Sequence, residues 1–258
     1  MRPILIKLGP IPIHGYGLMI AVGFLASIYV LRKLSARSKL DPEKIVDLAF
    51  WCLIIGFLGS RILFAITRFN DFASDPVSFL RIWEGGFVFF GGLLAVIPFV
   101  MWYFKKYKLP AWKTVDVLSI GVVLSHAFGR LGCFLAGCCH GKPTGSNWGV
   151  KFYSDLVEPT LHGINLHPTQ LYESCALFLL FFGLLWIFKI KRFDGQVALT
   201  YFIIYPIIRS VIEVFRGDVI RGFIIEDVLS TSQFISIFVI IGAVIVLGKK
   251  IKKIHIKQ

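Results

Sequence analysis

The chain has 258 residues, 56% of them hydrophobic, and a formal net charge of +13 at pH 7. So large an apolar fraction excludes an ordinary soluble domain and leaves a polytopic membrane protein, whose spans are helices because backbone groups in lipid must be satisfied internally. The charge does not mark a nucleic-acid surface: the Lys and Arg residues cluster in short loops between apolar runs, which is the positive-inside pattern.

Seven spans are predicted, at about 15–32, 45–66, 86–104, 115–139, 170–188, 197–215 and 229–248, each close to the roughly 20 apolar residues that cross a bilayer. Met1 to Ile13 holds three prolines, and no small-residue cleavage site follows the run from Gly15, so no cleavable signal is expected. The second span carries an arginine in Gly56-Phe-Leu-Gly-Ser-Arg61. The third opens on the glycine-rich Trp83 to Gly92, whose Gly91 and Gly92 either turn backbone amides toward a ligand or simply break the helix start.

The fourth span places His126, Arg130, Cys133, Gly137 and His140 at steps of 4, 3, 4 and 3, one face of a single helix. An arginine near the bilayer centre costs roughly 2.5–3.5 kcal/mol, so Arg130 requires a balancing charge, either an internal carboxylate or an anionic ligand. Few carboxylates lie within the spans, which favours the anion. Cys133, Cys138 and Cys139 read most simply as small apolar fillers. A disulfide and thiol-redox chemistry stay open, and their spacing is not a recognised zinc pattern, so no metal is expected.

The long connection 140–169 predicts a small extramembrane subdomain. His167-Pro-Thr-Gln-Leu-Tyr-Glu173 opens the fifth span, with Pro168 in the first helical turn and His167, Gln170 and Glu173 on one face as candidate acid or base. The sixth span carries Tyr205, Arg209, Glu213 and Arg216 on one face, with Glu213 spaced to pair with Arg209. That stripe is either an internal ion pair or half of an anion site, since a guanidinium grips phosphate through two parallel hydrogen bonds. Seventeen Lys and Arg fall in the loops after spans one, three and five and in the tail, against eight on the opposite side and three within spans. This predicts an outside N-terminus and a cytoplasmic C-terminus.

Taken in order, His14-Gly-Tyr-Gly17, Gly59-Ser-Arg61, Gly85-Gly86 with Gly91-Gly92, Gly129-Arg-Leu-Gly132, His167 to Glu173, Tyr205 to Arg216 and Ser230-Thr-Ser-Gln233 resemble the bacterial prolipoprotein diacylglyceryl transferase family. The resemblance covers nearly the whole chain. It implies an all-α fold of seven transmembrane helices, one integral membrane transferase domain with 140–169 as an extracytoplasmic head. It implies an enzyme of the cytoplasmic membrane, monomeric and without cofactor. Its partners would be phosphatidylglycerol, the lipobox cysteine of a preprolipoprotein signal peptide and membrane lipids, with no nucleic acid. The enzyme moves the diacylglyceryl group to that thiol, forms a thioether and releases glycerol phosphate. By the same resemblance Arg130 and Arg209 hold the phosphate, Tyr205 and Glu213 orient Arg209 and the head group, and His167, Gln170 and Glu173 line the outer part of the site; Arg61, Gly91 and Gly92 are further candidates for binding the lipid. Two departures stand out. Phe90 occupies a position where family members carry His or Tyr, and Cys133 with Gly137-Cys-Cys-His140 replaces a usual Asn and carboxylate. His140 or Glu173 is then the expected base, or the arginine field alone depresses the acceptor thiol's pKa. The alternatives are a paralogue with another acceptor, a thiol-redox membrane protein using Cys133, Cys138 and Cys139, and a transporter or binding protein for anionic lipid.

Overall fold

The computed structural model describes residues 4–8, 11–69, 75–81, 85–154, 156–217, 222–225 and 229–255. Trp83 and Glu84 of the glycine-rich entry, and Arg2, Arg221 and Lys257 of the charge count, lie outside the described residues. Seven helices are long and apolar enough to cross a membrane: α1 Gly15–Arg37, α2 Pro42–Thr67, α3 Phe89–Lys106, α4 Ala111–Ala136, α5 Thr169–Ile190, α6 Gln196–Phe215 and α7 Thr231–His255. Large apolar side chains stand exposed along them, including Leu25, Ile66, Leu94, Leu179 and Phe238. A surface of this kind is stable against lipid rather than water. Short antiparallel pairs complete the described structure: β1 Ile4–Leu8 with β2 Ile11–His14, β3 Val150–Lys151 with β4 Asn165–Leu166, and β5 Phe223–Ile225 with β6 Leu229–Ser230.

The chain divides into two compact units, one of Leu31–Thr114 and one of Met1–Val30 with Val115–Gln258. In the first, α2 packs along α3. The contact is a backbone-to-backbone approach: a Cβ on Gly59 would stand 2.6 Å from the Gly91 carbonyl oxygen, and one on Gly92 2.6 Å from Ser60 Oγ. Small residues of this kind let membrane helices close on each other, where the hydrophobic effect gives no drive. Asp41 caps α2 by accepting from the Glu43 amide at 3.1 Å, with Pro42 at the first helical position.

In the second unit α5 packs on α6 and α6 on α7. Polar side chains tie α1 and α5 to α4: Ser27 Oγ donates to the Gly121 carbonyl at 2.8 Å, and Ser174 Oγ to the Ala127 carbonyl at 2.9 Å. Asp116, fully buried on α4, accepts from Lys191 Nζ at 2.8 Å and from the amides of Gly195 and Ala198, each at 2.9 Å. Those amides open α6 and have no helical partner of their own, so one buried carboxylate fixes the α5–α6 turn to α4. Burial alone would depress the Lys191 ammonium, but its bonds to Asp116 and Asp194 outweigh this and hold its pKa above the ordinary lysine range.

The helix of span four stops earlier than the sequence pattern predicts. It ends at Ala136, because Gly137 adopts φ +84 and its amide bonds the Cys133 carbonyl at 2.9 Å. Gly137 and His140 therefore do not continue the His126–Arg130–Cys133 stripe. Beyond this cap, residues 140–169 form a small folded segment around Phe152, Val157 and Leu166, with Phe134, Val150 and Leu161 packed against them.

Candidate active site

The charged residues predicted within spans sort into two places. Arg61, in the unit Leu31–Thr114, points its guanidinium at main-chain carbonyls: Ser78 at 2.6 Å, Phe79 at 3.1 Å, Gly86 at 3.0 Å and Arg81 at 3.3 Å, with Gly85 closer still. The rings of Phe64, Phe79 and Phe87 lie 5.6–6.0 Å from it. A guanidinium carries five N–H donors, so Arg61 satisfies irregular backbone that would otherwise lie orphaned beside α2. Gly91 and Gly92 lie buried in the α2–α3 contact of the same unit.

The other unit gathers Arg130 and His126 from α4, Glu173 from α5 and Tyr205, Arg209 and Glu213 from α6. Arg130 Nε donates to His126 Nε2 at 3.2 Å and stands 3.1 Å from Glu173 Oε2. That bond requires His126 to be neutral at Nε2, accepting rather than donating. Glu173 Oε1 lies 3.7 Å from the same His126 nitrogen and accepts no hydrogen bond, although Glu173 is only 2% exposed. One helix further, Arg209 Nη1 and Glu213 Oε2 form an ion pair at 2.6 Å.

The two arginines share neighbours. Both press their charge on His126 and on Tyr205. Tyr205 lies edge-on to His126 at 5.3 Å between ring centroids and stacks on Tyr201 at 5.6 Å. The result is a set of two half-buried guanidiniums and two buried carboxylates, formally neutral, around a histidine and a tyrosine. Side by side, such groups hold one another in place with little reorganisation when further charge develops.

The remaining predicted residues flank this set. Gln170, 1% exposed, donates through Nε2 to the Cys138 carbonyl at 2.6 Å and leaves Oε1 without a donor. His167 contacts the Tyr172 hydroxyl at 3.2 Å and lies 5.5 Å, ring to ring, from Phe215. His140 is buried, with Nδ1 3.1 Å from the Gly141 carbonyl and its ring 6.0 Å from Phe152. It faces apolar packing, while Glu173 faces Arg130 and His126. All five cysteines are free thiols. Cys139 is held below the ordinary thiol range because Cys133 and Cys138 donate to it and Arg216 and Arg130 stand beside it. Cys138, which keeps its proton in that exchange, is raised. An apolar groove of about 310 Å³ opens between α4 and α5, lined by Leu131, Leu171, Cys175, Phe178 and Phe182.

Sequence reasoning placed His126 on the right face without giving it a role, and it passed over Tyr201 and Asp116. The four-residue steps His126–Arg130 and Tyr201–Tyr205 were the available signal for the first two. Asp116 gave none beyond being a lone carboxylate in an apolar run.

Fold and site together define a multi-pass helical membrane protein with a buried, charge-balanced arginine–carboxylate centre. The family model described as prolipoprotein diacylglyceryl transferase matches residues 3–248. The chain is 40% identical over 246 residues to the phosphatidylglycerol–prolipoprotein diacylglyceryl transferase of Clostridium tetani, covering 95% of this chain and 96% of that protein. It is 34% identical to the second such transferase of Clostridium perfringens, covering 95% and 94%, and 33% identical to that of Oceanobacillus iheyensis, covering 93% and 85%. The chain belongs to the prolipoprotein diacylglyceryl transferase family.

Proposed function

We propose that this chain takes the diacylglyceryl group from phosphatidylglycerol and joins it to the thiol of the lipobox cysteine of a preprolipoprotein. A thioether forms and glycerol phosphate leaves. The reading is carried by one observation: Arg130, bonded to His126 and paired with Glu173, meets the Arg209–Glu213 pair of another helix across the contact of His126 with Tyr205, one helical turn before Arg209. The names of the C. tetani, C. perfringens and O. iheyensis relatives support it.

The chemistry asks for two things. The acceptor thiol, with an ordinary pKa of about 8.5, must become a thiolate. The departing phosphate gains negative charge as the carbon–oxygen bond breaks, and that charge must be held. Arg130 and Arg209 meet the second need. Glu173, whose Oε1 accepts no hydrogen bond, takes the thiol proton. His140 packs on Phe152 instead and does not serve. Tyr205 and Glu213 orient Arg209, while His167 and Gln170 shape the approach at the start of α5. Arg61, Gly91 and Gly92 hold the α2–α3 unit together. The apolar groove between α4 and α5 suits an acyl chain. The protein works as a monomer in the bacterial cytoplasmic membrane, N-terminus outside, with residues 140–169 as its extracytoplasmic head.

The test is direct. Membranes holding this chain are given phosphatidylglycerol and a synthetic lipobox peptide, and the peptide is weighed by mass spectrometry. A peptide heavier by one diacylglyceryl group, with glycerol phosphate released in equal amount, is expected. Lipid binding without glycerol phosphate release would instead indicate a binding or transport protein.

A further inference from the structure

Cys133 lies in the last turn of α4, and Cys138 and Cys139 lie just beyond it. Their three sulfur atoms fall within 4.8 Å of one another. All three thiols are reduced and half-buried. A turn makes the cluster, since a continued helix would spread these positions around its axis. Gly137 at φ +84 stops α4, and Cys139 at φ +62 turns the chain back. The turn is then pinned from two other elements. Gln170 Nε2 donates to the Cys138 carbonyl at 2.6 Å and Thr169 Oγ1 to the Cys139 carbonyl at 2.8 Å. The Gly217 amide donates to the His140 carbonyl at 3.3 Å. This last contact, with the bridge between Gly141 and Arg216, brings Arg216 beside Cys139.

Three soft sulfur donors with no carboxylate or carbonyl among them select zinc-class or cuprous ions over magnesium or calcium. Two sulfurs on a tetrahedral zinc lie about 3.8 Å apart, given Zn–S distances of about 2.3 Å. The observed spread closes to that by side-chain rotation of roughly 1 Å. Among the described residues the group contains no fourth His, Cys, Asp or Glu. Three protein donors with one open position is the arrangement of a reactive site, whereas structural sites are closed by four. A divalent ion on three thiolates carries one net negative charge, and Arg130 and Arg216 stand beside it to offset that charge.

We propose that Cys133, Cys138 and Cys139 hold a zinc-class ion whose open fourth position takes the acceptor thiol. The inference rests on the reading that the acceptor is a cysteine thiol. On binding, the acceptor S–H gives its proton to the Glu173 carboxylate, and the sulfur stays on the ion as thiolate. A sulfur electron pair then forms the bond to the glyceryl carbon. The carbon–oxygen bond breaks, and its pair leaves with the phosphate toward Arg130 and Arg209. The neutral thioether is a weaker ligand than the thiolate, so the product departs and water refills the position.

The experiment uses the full chain, reduced and in detergent micelles, loaded with Zn²⁺ alone and desalted. About one ion per chain is expected. The ion should protect three of the five thiols from alkylation in the unaltered protein, read by mass spectrometry. Cys133→Ser, Cys138→Ser and Cys139→Ser should each lose the ion while unfolding at the temperature of ion-free wild type, and Cys52→Ser/Cys175→Ser should keep it. With Co²⁺ in place of zinc, a lipobox peptide should shift the visible spectrum, and the same peptide with Ser for Cys should not. No retained ion in fully reduced protein, equal retention in the single Ser variants, or a spectrum unmoved by the thiol peptide would each overturn the proposal. Transfer that continues undiminished in ion-free protein also overturns it and leaves the family reaction standing. A bound ion with no transfer of lipid to any peptide would count against the reaction instead.

Discussion

Replacing Glu173 by Gln removes one negative charge from the buried centre and almost no volume. Glu173 is 2% exposed and its Oε2 stands 3.1 Å from Arg130 Nε. Two unit charges about 4 Å apart attract by about 4 kcal/mol at an effective dielectric constant near 20. Removing one member of such a buried pair costs about 3–5 kcal/mol, because the other charge stays behind uncompensated. Arg130 keeps its hydrogen bond to His126 and a polar oxygen of the glutamine beside it, so the lower end applies. Glu173→Gln should therefore unfold several degrees below wild type in micelles free of phosphatidylglycerol. The lipid phosphate supplies the missing negative charge. Added phosphatidylglycerol should then raise the unfolding temperature of the variant by more than it raises that of wild type. Turnover should move the opposite way and fall by roughly 10²–10⁴-fold, the usual worth of a positioned acid or base. The assay pairs thermal unfolding, with and without lipid, with single-turnover transfer to a lipobox peptide. An equal lipid shift in both proteins, together with wild-type turnover, would refute the reasoning.

Arg130→Lys keeps the charge but loses the planar fork, so kcat/KM should fall by tenfold or more while helix content is unchanged; a wild-type value would argue against bidentate grip. Asp116→Ala should destabilise the chain by about 3–5 kcal/mol by orphaning Lys191 and the Gly195 and Ala198 amides, read as a drop in unfolding temperature. The Lys191 pKa is raised on folding, so the lysine's contribution to stability is fully present below the ordinary lysine value and should be lost as pH climbs through the elevated one. Gly59→Ala should separate α2 from α3, because its Cβ would meet the Gly91 carbonyl oxygen at 2.6 Å; a variant as stable as wild type would deny the close approach.

The seven spans were legible because lipid imposes one long apolar run per crossing, and their limits agree with the helices to within about four residues except at the ends of α1 and α7, which run on further. Harder to see were features that depend on a single backbone angle. Gly137 ends α4 three residues before the apolar pattern does, and that early stop both takes His140 off the stripe and folds Cys138 and Cys139 back toward Cys133. Local pairs such as Arg209–Glu213 follow from spacing alone. The partner of Arg130 does not, because Glu173 lies on another helix and only packing brings the two together. Arg61 shows the converse ambiguity: a charge within an apolar run announces a need for partners, but the sequence does not say whether a ligand or the chain's own carbonyls supply them.

The measurement that bears most directly on the shared phosphate is a double-mutant cycle on transfer from phosphatidylglycerol, with Arg130→Lys, Arg209→Lys and both together. Two guanidiniums gripping one head group act as a unit, so the double variant should lose little more kcat/KM than the worse single variant. Losses that multiply, as for residues serving separate sites, would contradict the account.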